Sequence, residues 1–344
     1  MANWIKVLIL LFLPVLVCSS CAENQTFAQE GSLHNFFQKA YVTIAVTDSG
    51  LGGLSILAEA IERSRIWRGF KRIDFIFFNA LFSSQGGYNS LATHREKVLV
   101  FDSALHSLEN RHNPDLILIG CNTLSAIFDE TTFAAKHRTP VRGIIDAGVE
   151  LASAFLKAHP EAKIILFGTQ TTVSRKSHQD RLLKKGFLPE RIVYQACPDL
   201  VNYIETDYKS DETEMLIYAY VDEALQKIGN RHHPLLVSLN CTHYGYSHDL
   251  WTEAFKSHGI EPLTILNPNS KMIDFLFPLQ TQNRFKKTDI SVRVISMVKI
   301  EKKKKNSLGY WLHQISPQTA EALENYELRE DLFEWKSLIK DRLR

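Results

Sequence analysis

The sequence predicts an α/β protein built as two similar α/β lobes with parallel sheets, facing one another across a cleft. Three observations carry this reading. From Tyr41 onward, short β-rich runs alternate with amphipathic stretches, the pattern of parallel α/β units. Two segments echo each other, Gly120-Cys121-Asn122-Thr123 and Asn240-Cys241-Thr242-His243, each closing an apolar run and preceding a helix-like stretch. The 344 residues, 45% of them apolar, exceed one small module and suffice for two cores.

Candidate strands fall at 42–47, 73–78, 115–119, 141–145, 163–167, 235–239 and 263–266. The helices between them carry apolar stripes. Val98, Phe101, Leu105 and Leu108 recur at three- and four-residue spacing, so one helix face is apolar and reads as core. Open α/β sheets place ligands at the carboxyl ends of their strands, where both echoing cysteines stand. One cysteine from each lobe is therefore expected at the cleft.

The ends of the chain have a different character. Residues 1–21 combine Lys6, an apolar run of 11 residues over 7–17 and small polar residues, the grammar of a signal peptide. That run is shorter than the roughly twenty residues needed to span a bilayer, and Pro14 interrupts it. Ser19-Ser20-Cys21 resembles the site at which bacterial lipoprotein precursors are cut and lipidated, although Cys18 stands where leucine is usual. The expectation is a lipid anchor at Cys21 and a place in the cell envelope on a bacterial membrane, with a secreted or periplasmic soluble protein as the alternative. Residues 22–40 are polar and uneven and read as a tether. Residues 279–344 read as a C-terminal extension of unassigned role, in which Lys302–Lys305 is expected as a solvated hairpin turn between strand-like 291–300 and an aromatic stretch at 309–315, with a polar helix at 317–328.

Lysine plus arginine (40) nearly balances aspartate plus glutamate (38), which leaves no basic field for nucleic acid and points to a small-molecule partner. Five cysteines in a chain this long make neither a disulfide framework nor a structural zinc pattern. A lone buried cysteine is usually an inert small hydrophobe. Two in matching strand-end positions instead suit a carbon acid whose proton leaves one face and returns to the other, provided a helix start or polar neighbours lower the thiols toward neutrality. A zinc site from Cys121, Cys241 and His243 would lack an evident fourth ligand.

The block Asp48-Ser49-Gly50-Leu51-Gly52-Gly53 closes the first strand and opens a helix. Its glycines permit close backbone approach and leave amides to hold an anion such as a carboxylate. It has neither the G-x-G-x-x-G spacing of a dinucleotide site nor the G-K-[ST] of a P-loop. Asp48 either orients a base or caps the helix that follows.

These blocks, with Cys121-Asn122-Thr123-x-Ser125-Ala126, then Ala196-Cys197-Pro198-x-Leu200-Val201 and Glu205, then Cys241-Thr242-His243-Tyr244, resemble bacterial glutamate racemase in the family order over about 42–278. The resemblance implies racemisation of glutamate by two opposed cysteines, Cys121 and Cys241, with no cofactor and no metal. Asp48, Glu205 and His243 would assist them, and Cys197 would be structural. Asp48, Ser49, Asn122, Thr123, Thr242 and His243, with the backbone at Gln85 and Gly86, would hold the substrate. The family fold implies a first lobe at 41–145 plus 262–278 and a second at 146–261, the active site lying between them. A homodimer is compatible with it.

This chain departs from the family pattern at several places. Ser84-Gln85-Gly86 stands where Pro-Tyr-Gly is usual, Arg175 and His178 replace a serine and a tyrosine, and Asn267-Pro268 replaces an Asp-Pro pair. The family is normally cytoplasmic and supplies D-glutamate for peptidoglycan, so the terminal extensions are unusual. Two alternatives stay open: a racemase of another acidic amino acid such as aspartate, or an exported amino-acid-binding lipoprotein of this fold.

Overall fold

The computed structural model describes residues 32–229, 234–261 and 263–342. The expected signal segment and Cys21 lie outside them. Among the described residues no helix is long and apolar enough to cross a membrane.

Among the described residues ten strands form two parallel sheets. In chain order they are β1 (Tyr41–Asp48), β2 (Arg72–Asn79), β3 (Leu116–Ile119), β4 (Val141–Gly143), β5 (Lys163–Gly168), β6 (Ile192–Ala196), β7 (Leu235–Asn240), β8 (Thr264–Leu266), β9 (Asp289–Ser296) and β10 (Glu327–Leu328). The first sheet has the order β10-β9-β2-β1-β3-β4 and the second β6-β5-β7-β8. Their cores, β2-β1-β3-β4 and β6-β5-β7-β8, share one topology. In each, the chain runs outward from the first strand, then returns to that strand's other side. This reversal opens a crevice at the carboxyl ends, between β1 and β3 in one lobe and between β5 and β7 in the other. Cys121 follows β3 and Cys241 follows β7, so the echo in the sequence is an echo in topology.

The strands are apolar on both faces because both faces are covered. Ala45, Ile76, Phe78, Ile117 and Ile119 pack with Val100, Phe101, Leu105 and Leu108 of the helix His94–His112. The alternate residues Ile44, Val46, Phe75, Phe77, Leu116 and Leu118 pack with Leu54, Ile56, Leu57 and Ile61 of the helix Leu54–Trp67. Each such fully buried side chain contributes about 1.5–3 kcal/mol relative to exposure. The helix His94–His112 begins at a capping box, Thr93 accepting from the Glu96 amide while the Glu96 carboxylate accepts from the Thr93 amide.

Several expectations need correction. The strand expected at 141–145 ends at Gly143, and Ile144 and Ile145 open the buried helix Ile144–Ala158, since a short apolar run does not distinguish the two. β6 was not expected, because its residues mix polar and apolar types. The segment 263–266, expected to return to the first lobe, extends the second sheet by pairing with β7. The tether expected at 22–40 gives way to a helix at 32–38, where Phe36 is buried with its ring 5.2 Å from that of Phe70.

The C-terminal residues join the first lobe. β9 pairs with all of β2, and β10 pairs with β9. Lys302–Lys305 is the first turn of the helix Lys302–Ile315, not a hairpin turn, and the following helix ends at Glu324. Leu308 and Leu312, one turn apart, are buried and anchor the first of these helices in the core beside the helix Leu54–Trp67. That apolar stripe outweighs the charge run in deciding the local structure.

Candidate active site

One cavity of about 790 Å³ lies between the lobes. Its wall includes Asp48, Ser49, Gln85, Gly86, Cys121, Asn122, Thr123, Glu205, Cys241, Thr242 and His243, so every described site residue expected from the sequence meets there. Cys197, Thr169 and Lys304, which the sequence did not single out for chemistry, line it too.

Cys121 stands at the start of a short helix, Asn122–Ser125, with extended backbone (φ −138°, ψ 122°). Its Sγ lies 3.2 Å from Ser49 Oγ. Asp48, at the end of β1, is buried; its Oδ2 accepts from the Gly53 amide at 2.6 Å and from Thr242 Oγ1 at 2.7 Å. Asp48 Oδ1 has no hydrogen-bond partner of ordinary geometry, although the Cys121 thiol is among the groups that favour its ionised form. Burial pushes the Asp48 carboxyl up, against the charge of His243 and its hydrogen bonds.

The second thiol has its own set of polar neighbours. Cys241 Sγ lies 3.6 Å from His243 Nδ1, and His243 Nε2 lies 2.8 Å from Glu205 Oε1. Glu205, in the helix Leu200–Thr206 of the second lobe, also accepts from the Leu51 amide at 2.9 Å and from Lys304 Nζ at 2.8 Å. Burial alone would raise the Glu205 carboxyl. The hydrogen bond and charge of His243, with Lys304, overcome it and hold the group at about 2.

The thiols themselves depart from expectation. Burial pushes Cys121 well up, and the Asp48 charge adds to it against Ser49. Burial likewise pushes Cys241 up, with Asp48, Cys121 and Cys197 adding to it. The helix after Cys121 spans only four residues and a 3-10 turn follows Cys241, so neither supplies the dipole of a long helix. Burial thus favours the thiol form of both.

The glycine block also acts differently from a free anion cradle. The Leu51 amide is taken by Glu205 and the Gly53 amide by Asp48. Gly50 and Gly52 are closely approached by the other lobe: a Cβ on Gly52 would stand 2.3 Å from Thr242 Oγ1 and 2.8 Å from the His243 amide nitrogen. The unpartnered polar atoms facing a ligand lie elsewhere. Asn122 Oδ1 and Nδ2 are buried with no partner among the described residues, and the hydroxyls of Thr123 and Thr169 stand 2.8 Å apart in the same wall. At the mouth, the Gln85 amide is taken by Ser83 Oγ at 3.1 Å, while Gly86 adopts φ +147°.

Of the departures from the family pattern, Asn267 accepts from the Asn269 amide at 3.2 Å and caps the helix Pro268–Met272, a role an aspartate also fills. His178 is buried, and burial pulls it down to about 3, so it is neutral. Arg175 pairs with Glu130.

Two matching α/β lobes, each presenting a buried thiol to a common cleft, define the two-thiol α/β isomerases as the class of this protein. No protein-family profile matches the chain. The glutamate racemase of Persephonella marina is 30% identical over 205 residues, covering 57% of this chain and 72% of that protein. Glutamate racemase 3 of Caldanaerobacter subterraneus subsp. tengcongensis is 25% identical over 233 residues, covering 67% and 76%. The chain belongs to the glutamate racemase family. The fold is shared with the crystal structure of glutamate racemase isoform RacE1 from Bacillus anthracis, at TM-score 0.59, 22% identity and coverage of 80% of this chain and 95% of that one. The Francisella tularensis glutamate racemase, solved in complex with D-glutamate, aligns at TM-score 0.58 and 19% identity over 79% and 94%.

Proposed function

We propose that the protein interconverts L- and D-glutamate by a two-base mechanism. The observation that supports this reading is that each thiol has its own polar partners, Ser49 with Asp48 at Cys121 and His243 backed by Glu205 at Cys241. The relatives' names supply glutamate as the substrate.

The chemistry balances as follows. The α-ammonium of a bound amino acid brings positive charge to thiols that burial keeps protonated, and so favours ionisation of one of them. That proton passes to Asp48 Oδ1 or to His243 Nδ1. If Cys121 is the thiolate, it takes the α-proton while Cys241 delivers its own proton to the opposite face of the carbanion. Cys121 ends as thiol and Cys241 as thiolate, and the opposite enantiomer reverses the roles. Asn122, Thr123 and Thr169 offer the donors for a carboxylate. Chiral chromatography after incubating the purified protein with L-glutamate, D-glutamate and the two aspartates tests the reading. It requires glutamate to reach an equal mixture from either side; conversion of aspartate alone would transfer the reading to that substrate, and no conversion of any of the four would refute it.

We also propose, on the order Lys6, apolar run, Ser19-Ser20-Cys21, that the mature protein is lipid-anchored at Cys21 in the cell envelope. Several acyl chains at about 0.8 kcal/mol per buried CH₂ would hold it firmly. Cys21→Ala should abolish labelling by a fatty-acid probe; retained label would refute the anchor.

A further inference from the structure

The Lys304 ion pair to Glu205 has no part in the mechanism above. Lys304 belongs to the helix Lys302–Ile315, which lies against both the helix Leu54–Trp67 of the first lobe and the helix Leu200–Thr206 that carries Glu205 in the second. The pair therefore stands where the C-terminal helix meets the second lobe, at the carboxylate that holds His243. It is not a surface contact: the Glu205 side chain is 5% exposed and that of Lys304 21%. The two oxygens of Glu205 are divided between their partners. Oε1 serves His243 Nε2 and the Leu51 amide, and Oε2 serves Lys304 alone.

We propose that Lys304 is a positioning residue for Cys241: by anchoring Glu205 Oε2 it keeps Oε1 on His243 Nε2, and so keeps His243 Nδ1 facing the Cys241 sulfur. The inference rests on the reading of Cys241 as an acid and base. A carboxylate with one oxygen held by a fixed cation does not rotate about its last bond. Without that cation, Oε2 is buried with no partner, and rotation to share the remaining donors pulls Oε1 off the imidazole. Cys121 is served by Ser49 and Asp48, neither of which Lys304 touches, so the effect falls chiefly on Cys241. Tyr246, facing Glu205 from the turn after Cys241, has its hydroxyl donated to the Leu51 carbonyl at 3.0 Å and does not replace the lysine.

The test compares Lys304→Met and Lys304→Arg with the unchanged protein, following racemisation of each enantiomer by circular dichroism with α-protio and α-deuterio glutamate. Lys304→Met should lower kcat about tenfold or more with KM within about twofold. It should also enlarge the α-deuterium isotope effect for only the enantiomer whose proton Cys241 removes, and Lys304→Arg should restore most of kcat. A raised KM at unchanged kcat would overturn the proposal by making Lys304 a substrate contact. Isotope effects altered alike for both enantiomers would overturn it by reducing the pair to a brace between lobes. Independently of turnover, peptide mapping after iodoacetamide treatment should show alkylation of Cys241 changed severalfold in Lys304→Met and that of Cys121 unchanged; equal behaviour of the two would also overturn it. A wild-type protein that leaves glutamate unracemised refutes the proposed function, and the alkylation comparison still decides the role of Lys304.

Discussion

His243 Nε2 lies 2.8 Å from Glu205 Oε1, and this contact decides which imidazole nitrogen faces Cys241. Glu205 is ionised and accepts from Nε2, which leaves Nδ1 as the nitrogen that faces the sulfur 3.6 Å away. A carboxylate thus stands behind the ring, where in the proposed mechanism it stabilises the imidazolium.

Glu205→Gln keeps the shape and removes the charge behind that imidazolium. Racemisation should fall about 10²-fold or more in both directions, with a smaller change in KM. Initial rates from L- and D-glutamate measure this directly, and rates within a factor of about two of wild type would contradict the relay.

The same carboxylate makes stability depend on pH. Glu205 is lowered from an ordinary 4.5 to about 2, so its contribution is fully present above the unfolded value and is lost as the pH falls toward 2. Thermal melts of wild type and Glu205→Gln should therefore differ most near neutrality and converge between about pH 4.5 and pH 2.5. A difference that stays constant over that range would show that the ion pair contributes nothing to stability.

Each cysteine is needed in both directions, because the base for one enantiomer is the acid for the other. Cys121→Ala and Cys241→Ala should each reduce racemisation from both sides by about 10²–10⁴-fold or more. In deuterium oxide the product should gain α-deuterium well before the recovered substrate does. Near wild-type turnover in either variant would remove that thiol from the mechanism.

Burial favours the thiol form of both cysteines, so alkylation by iodoacetamide without added substrate should be slow near neutrality and continue to accelerate from about pH 7 to about pH 10 with no plateau. Mass spectrometry of the two peptides follows each site separately. A plateau with a midpoint near neutrality at either cysteine would mean that its surroundings stabilise the thiolate.

Gly52 lies against Thr242 and His243 of the second lobe with no room for a side chain. Gly52→Ala places a methyl 2.3 Å from Thr242 Oγ1 and 2.8 Å from the backbone of His243, so the lobes must separate. The variant should be destabilised by about 1–3 kcal/mol, with activity lost beyond what the lower melting temperature explains. Gly186→Ala makes a suitable comparison for stability, since nothing stands within 4 Å of its added Cβ and its cost comes from φ +88° alone.

By itself the sequence determined the α/β class, the repeat of a cysteine at a strand end and the composition of the cleft wall. These are legible because a strand buried on both faces must be apolar throughout, and because a ligand site at a strand end draws on a few consecutive residues, as in Asp48-Ser49 and Cys121-Asn122-Thr123. The tertiary structure decided what depends on residues distant in the chain. Lys304 looks like one of four solvated lysines until Leu308 and Leu312 fix its helix against the first lobe and aim it at Glu205, 99 residues earlier. The burial of Cys121 and Cys241 was likewise hidden, since their sequence neighbours suggest activated thiols whereas the residues that both lobes bring around each sulfur favour its protonated form. Apolar periodicity is a local property of the chain; desolvation and the pairing of buried charges arise only when remote segments meet.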